Sequence, residues 1–244
     1  MLNEQTVSKM QSMKLTGMAQ AFKEIMGQPK RTDLTHEEFI GLLLDAELTC
    51  RENRRLQRLL GNARLKQQAC IEDLDYKQPR GLHKQIILEL SNCNWIENHQ
   101  NVLISGPTGA GKTFIACAVG TAACRKGYTV YYTRAPQLFT MMFTARADGS
   151  YLKALGRFAK SSLLIIDDIG LSPMNDTERK DLLEIVEERH LCSATIIASQ
   201  APIKDWYQII GDPTIADAIC DRLLHNAYKI ELKGESMRKN IDGK

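Results

Sequence analysis

Residues 101–232 carry the pattern of an α/β protein with a five-stranded parallel sheet, and residues 1–70 that of a small all-α domain. Five short apolar or β-branched runs, Val102–Ser105, Tyr128–Tyr132, Leu163–Ile166, Ala194–Ala198 and Tyr228–Leu232, are separated by stretches long enough for a helix. Strand alternating with helix predicts parallel strands covered on both faces. Before residue 70 strand alternation is missing, and apolar residues recur at helical spacing, as in Phe39, Leu42, Leu43 and Ala46 or Leu56, Leu59, Leu60 and Ala63. The expected domains are therefore residues 1–70 and residues 71–244.

In the first domain, Gln28-Pro29-Lys30 breaks one helix, and Thr35-x-x-Glu38 has the form of a capping box that opens the next. On a helical wheel Arg51, Arg54, Arg55, Arg58 and Lys66 share one arc, with Leu56, Leu59, Leu60 and Ala63 on the adjacent face. Such a helix packs on one side and presents arginines on the other. Residues 71–99 form the link, with a helix expected over His83–Ser91. The fully apolar run Leu163–Ile166 fits a central strand, and Tyr128–Tyr132 a peripheral one.

Composition excludes several classes of protein. The chain has 244 residues, 43% hydrophobic and 25% charged, with a mean hydropathy of -0.28, as expected of an ordinary globular protein. No apolar run approaches the roughly 20 residues of a bilayer helix, and the N-terminus lacks the apolar core of a signal peptide. Seven scattered cysteines without a Cys-x-x-Cys pair point to reduced thiols in a cytoplasm, with neither disulfides nor zinc. The net charge of +3 is concentrated in residues 1–70, which hold 11 Lys/Arg against 8 Asp/Glu. Residues 51–66 alone carry six positive charges and one negative, a local excess suited to a polyanion. A second basic group, Arg134, Arg146, Lys153, Arg157 and Lys160, lies between the second and third strands. A polyanion is the expected partner of both groups; the competing reading of each is a solvated face.

Gly106-Pro107-Thr108-Gly109-Ala110-Gly111-Lys112-Thr113 matches the complete P-loop pattern G-x-x-x-x-G-K-[ST]. A strand precedes it and a helix-competent run, Phe114–Ala123, follows. Its backbone N–H groups at a helix N-terminus would cradle phosphates, Lys112 would neutralise the β- and γ-phosphates of ATP, and Thr113 would hold Mg²⁺. Asp167-Asp168 closes the apolar third strand, beside the P-loop, where ligands bind in open α/β sheets. Asp167 is the expected Mg²⁺ partner. Asp168 stands where related ATPases place a glutamate that orients the attacking water, a capping role being the alternative. Gln200, after the fourth strand, is a candidate sensor of the γ-phosphate, and Arg222 a candidate arginine finger acting on a neighbouring subunit.

The segments at 51–60 (RENRRLQRLL), 71–82 (IEDLDYKQPRGL), 95–120 (WIENHQNVLISGPTGAGKTFIACAVG), 163–173 (LLIIDDIGLSP) and 211–239 (GDPTIADAICDRLLHNAYKIELKGESMRK) closely resemble IstB, the helper ATPase encoded beside the transposase in one group of bacterial insertion sequences. The resemblance runs over nearly the whole chain. It implies an AAA+ fold of the DnaA/DnaC-like clade, ATP hydrolysis, homo-oligomers (ring or helical) on duplex DNA, target-site selection and contact with the cognate transposase. By motif matching it makes Gly106–Thr113 the Walker A segment, Asp167 and Asp168 the Walker B pair, Ser199-Gln200 the sensor-1 region, Arg222 the arginine finger and Arg238 the sensor-2 arginine. Only 44 residues follow Gln200, which leaves no room for a full C-terminal helical lid. Two other functions share the nucleotide chemistry: a replicative helicase loader of the DnaC type, and a DNA scaffold assembled by ATP with negligible hydrolysis.

Overall fold

In the computed structural model, which describes residues 2–27, 34–234 and 236–237, the apolar runs beyond residue 100 pair as parallel strands: β1 (Asn101–Ser105), β2 (Val130–Arg134), β3 (Leu163–Ile169), β4 (Ala194–Ser199) and β5 (Ala227–Glu231). Among the described residues they form one sheet in the order β2-β3-β4-β1-β5, with every pairing parallel. All five expected strands form, shifted by a few residues at their ends. Leu163, Leu164, Ile165 and Ile166 are completely buried in an interior strand, whereas β2 is an edge, as its mixed Tyr/Thr composition suggests.

Parallel neighbours need crossovers, and helices supply them. The helix α4 (Lys84–Asn92) and the short turn α5 (Asn94–Glu97) precede β1; α6 (Lys112–Arg125) follows it. A pair, α7 (Ala135–Ala147) and α8 (Tyr151–Ala159), joins β2 to β3. After β3 comes α9 (Asp176–Arg189), and after β4 come α10 (Trp206–Ile210) and α11 (Pro213–Leu224). Helix α6 is buried along most of its length, so Ala116, Cys117, Ala118, Ala123 and Cys124 lie inside the core. Asn175 starts α9 with a complete capping box, its side chain accepting from Thr177 N and Glu178 N. Asp212 caps α11 through Ile215 N, with Pro213 in the first turn.

The chain divides into two compact units, Met1–Arg58 and Leu59–Lys244, so residues 59–70 group with the sheet. The division falls within the 28-residue helix α3 (His36–Ala63), which ends where Arg64 turns left-handed at φ +55°. In the first unit, α1 (Leu2–Ser12) and α2 (Thr16–Gly27) join α3 around Val7, Ala19, Phe22 and Leu43, with Phe39 edge-on to Phe22. The buried Glu47 accepts from the N-terminal amides of α2, Gly17 N at 2.8 Å and Met18 N at 3.1 Å, supplying the anion a helix start prefers. The capping box at Thr35 and Glu38 forms as expected. Gln28-Pro29-Lys30 lies outside the described residues. No helix among the described residues is long and apolar enough to cross a membrane.

A buried cation holds one side of the sheet together. Arg189, at the end of α9, is 2% exposed. It donates to Phe158 O at 2.6 Å, Ser161 O at 2.9 Å and Thr195 Oγ1 at 3.0 Å, and also to Ala194 O. One planar guanidinium thus joins the end of α8, the approach to β3 and the start of β4. Arg189→Ala is predicted to strand several buried carbonyls and to destabilise the protein by roughly 3–5 kcal/mol. Denaturant unfolding would measure this, and a midpoint equal to that of the parent would show the guanidinium to be dispensable.

Candidate nucleotide-binding site

Because every strand runs in the same direction, the segments leaving their C-terminal ends gather along one edge of the sheet. The loop 106–111 leaves β1, Arg134 ends β2, Asp167 and Asp168 lie near the end of β3, and Gln200 follows β4. Around them is a cavity of about 600 Å³, lined by Gly109, Gly111, Lys112, Thr113, Arg134, Asp168 and Gln200, and by Lys66, Gln67, Asp73, Asp75, Gln78 and Arg80 from the segment ahead of α4.

Gly106, Gly109 and Gly111 take φ values of +148°, +83° and +96°, a backbone conformation that side chains with a Cβ rarely adopt. At Gly106 a Cβ would also come within 2.5 Å of Leu232 O. Gly111 caps α6 and leaves the first amides of the helix facing the loop. Lys112 is buried, its Nζ donating to Gly106 O at 2.7 Å and Pro107 O at 2.9 Å. Thr108 Oγ1 donates to Gln200 Oε1 at 2.8 Å, linking the loop to the end of β4. Arg80, 6% exposed, donates from Nη1 to Ala110 O at 3.0 Å and from Nη2 to Asp75 O at 3.0 Å. It braces the loop from the cavity wall.

The acidic pair is split by a β-bulge. The β3–β4 register runs to Ile166↔Ile197 and resumes at Ile169↔Ser199, and Asp168 sits in the bulge at φ +60°. Strain in a non-glycine residue is characteristic of positions that aim a functional group. The two carboxylates consequently have different surroundings. Asp167 is fully buried; its Oδ2 accepts from Thr113 Oγ1 at 2.7 Å and Tyr132 Oη at 2.8 Å, and its Oδ1 from Asp168 N at 2.9 Å. Asp168 faces the cavity and accepts from Arg134 Nε at 2.7 Å. That bond to Asp168 holds the Arg134 guanidinium above its ordinary pKa. Ser199 anchors the bulge, donating from Oγ to Ile169 O at 3.0 Å.

The fold thus brings Gly106–Thr113, Asp167, Asp168 and Gln200 together. Arg222 does not line this cavity; on α11 it donates to Glu187 Oε1 and Ala218 O. Arg238 lies outside the described residues. The basic group expected at 134–160 is dispersed, because Arg134 turns into the nucleotide cavity and Arg146 donates to the buried Asp181 while lying over the Tyr151 ring at 4.0 Å. Lys153 and Arg157 line an open groove between α7 and α8, and Lys160 follows the end of α8. In α3, Arg51 pairs with Glu47 at 2.7 Å and Arg54 donates to Thr16 Oγ1; Arg55 and Arg58 are exposed. Lys66 lies beyond the end of α3 and lines the nucleotide cavity instead of extending the arginine face.

Sequence reasoning missed Arg80, Tyr132 and the place of Arg134 in the site. The Pro79-Arg80-Gly81 turn stood inside a family-like segment, yet nothing in its composition assigned the guanidinium a partner. Chemically, the site combines a backbone cradle for polyphosphate, an adjacent ammonium, and hard oxygen donors on Thr113 and Asp167 suited to Mg²⁺. Such an ion is normally held by one or two protein oxygens together with substrate phosphates. Among the described residues no cluster of three His, Cys, Asp or Glu suggests another metal centre.

A family model described as IstB-like ATP binding protein matches residues 8–243. A protein of Sinorhizobium fredii, described by name as the insertion sequence ATP-binding protein y4pL, is 46% identical over 240 residues, covering 98% of each chain. The insertion sequence IS21 ATP-binding protein named from Pseudomonas aeruginosa is 29% identical, over 93% of this chain and 85% of its own. Among solved structures, DnaI matches with a TM-score of 0.58 at 18% identity, covering 72% of this chain and 93% of its own. AMPPCP-bound DnaA from Aquifex aeolicus matches at 0.59 and 20%, covering 74% and 55%. These structural likenesses establish the AAA+ P-loop fold. With the sequence match running almost from end to end, the chain belongs to the IstB-like ATP-binding proteins of insertion sequences.

Proposed function

We propose that the protein hydrolyses ATP with Mg²⁺, assembles as a homo-oligomer on duplex DNA, and in that state helps select the target site and engages the cognate transposase. The observation that carries this reading is the joining of P-loop, acidic bulge and Gln200 in one cavity, through Thr113–Asp167 and Thr108–Gln200, in a chain 46% identical to an insertion-sequence protein. That relationship favours transposition over helicase loading, since the DnaC helicase loader is matched at 18% identity and in fold only.

In this mechanism the loop amides and Lys112 bind the phosphates, with Lys112 exchanging its carbonyl partners for phosphate oxygens. Thr113 and Asp167 would hold Mg²⁺, which when bound offsets charge on the β- and γ-phosphates. Asp168, fixed through one oxygen by Arg134, orients the attacking water, and Gln200 senses the γ-phosphate. Arg222, away from its own cavity, acts in trans on the nucleotide of a neighbour after leaving Glu187. Arg55 and Arg58 provide the exposed part of the N-terminal DNA contact, with Lys153 and Arg157 a second contact in the sheet domain. Arg134 serves the nucleotide.

Lys112→Ala is predicted to weaken ATP binding by roughly 10–100-fold, the scale of a hydrogen bond to a charged group. Equilibrium binding of a fluorescent ATP analogue measures it, and unchanged affinity would end the P-loop assignment. For Arg222→Ala, monomer affinity for ATP should stay near that of the parent while hydrolysis falls by roughly 10³-fold or more if the residue is a trans finger. Mixing it with an Asp168→Asn protein under conditions of subunit exchange should restore part of the turnover; a mixture no more active than its components argues against the trans role. For DNA, replacing Arg54, Arg55 and Arg58 with alanine should weaken binding to all sequences alike and flatten the log–log salt dependence by roughly one unit per lost phosphate contact. A folded triple variant with the parent's affinity and slope would remove this helix from the DNA interface.

A further inference from the structure

Three donors converge on Asp167, and two of them belong to the P-loop and the acidic bulge already described: the Thr113 hydroxyl and the amide of the following residue. The third is the phenol of Tyr132, 2.8 Å from Oδ2. Tyr132 belongs to the edge strand β2, where it pairs in register with Ile165 of β3, and its side chain is 6% exposed. It does not line the nucleotide cavity. It therefore reaches the carboxylate from within the sheet domain, while Thr113 reaches it from the cavity wall. A buried phenol must find an acceptor, and here the acceptor is an ionisable side chain of the site.

We propose that Tyr132 is a positioning residue for the divalent cation of the ATPase site, its hydroxyl fixing the Asp167 carboxylate in the orientation that Mg²⁺ requires. The proposal rests on the assignment of Thr113 and Asp167 to that cation. A carboxylate turns easily about its terminal torsion. Thr113 Oγ1 would serve both Asp167 and the cation, whereas the phenol would act only through the carboxylate. Groups that orient a metal's ligands typically govern metal affinity by 10–100-fold.

The test uses the full-length protein and a fluorescent ATP analogue titrated with MgCl₂. Tyr132→Phe removes the hydroxyl and keeps the ring. It should raise the half-saturating Mg²⁺ concentration by roughly tenfold, while affinity for the analogue in EDTA stays within about twofold of the parent's. Tyr132→Met, apolar and flexible, should show the same split and guards against a packing effect peculiar to phenylalanine. A purely structural tyrosine would lower the melting temperature without moving the Mg²⁺ dependence. Variants whose Mg²⁺ half-saturation matches the parent's would overturn the proposal. If the parent itself binds the analogue equally well in MgCl₂ and EDTA, the assignment of the cation to Thr113 and Asp167 fails first, a result read from the parent alone.

Discussion

Asp167 is a fully buried carboxylate whose satisfaction requires several parts of the fold to be in register at once. Helix α6 must begin at Gly111 for Thr113 to reach it, β2 must lie beside β3 for Tyr132 to reach it, and the bulge must turn the Asp168 amide inward. An anion taken out of water without such donors would cost several kcal/mol or become protonated. The three bonds therefore join the start of α6, an edge strand and an interior strand at one point. The remaining site residues are arranged around that point, which lies on the sheet edge where the parallel strands end.

The bulge separates the roles of two adjacent aspartates. In an unbroken strand their side chains would point to opposite faces of the sheet. Here the left-handed conformation of Asp168 directs its carboxylate to the cavity and to Arg134, while Asp167 stays sealed against Thr113 and Tyr132. Ser199 and Ile169 close the bulge from the side of β4. The strained residue is held by bonds on both sides, which is what allows such a conformation to persist in a folded protein.

Several arginines that look like polyanion contacts in the sequence have partners within the fold: Arg51 with Glu47, Arg134 with Asp168, Arg146 with Asp181. Arg189, unremarked in the sequence, is the most deeply buried arginine among those described and serves carbonyls instead of anions. A cation count along the chain overstates the positive charge left at the surface, because carboxylates distant in sequence return to neutralise part of it.

The sequence by itself determined the parallel sheet, its strands, the capping box at Thr35 and Glu38, and the P-loop with its acidic partner. These are local in origin: apolar periodicity, glycine at left-handed positions and strand–loop–helix order are properties of short windows. The tertiary structure alone decided that Arg134 belongs to the nucleotide cavity, that Arg80 braces the loop, that Tyr132 meets Asp167, and that residues 59–70 group with the sheet. Each of these depends on strand order β2-β3-β4-β1-β5 or on contacts between segments tens of residues apart. Period and composition do not encode which strand lies beside which, and a side chain's partner is chosen only once that order exists.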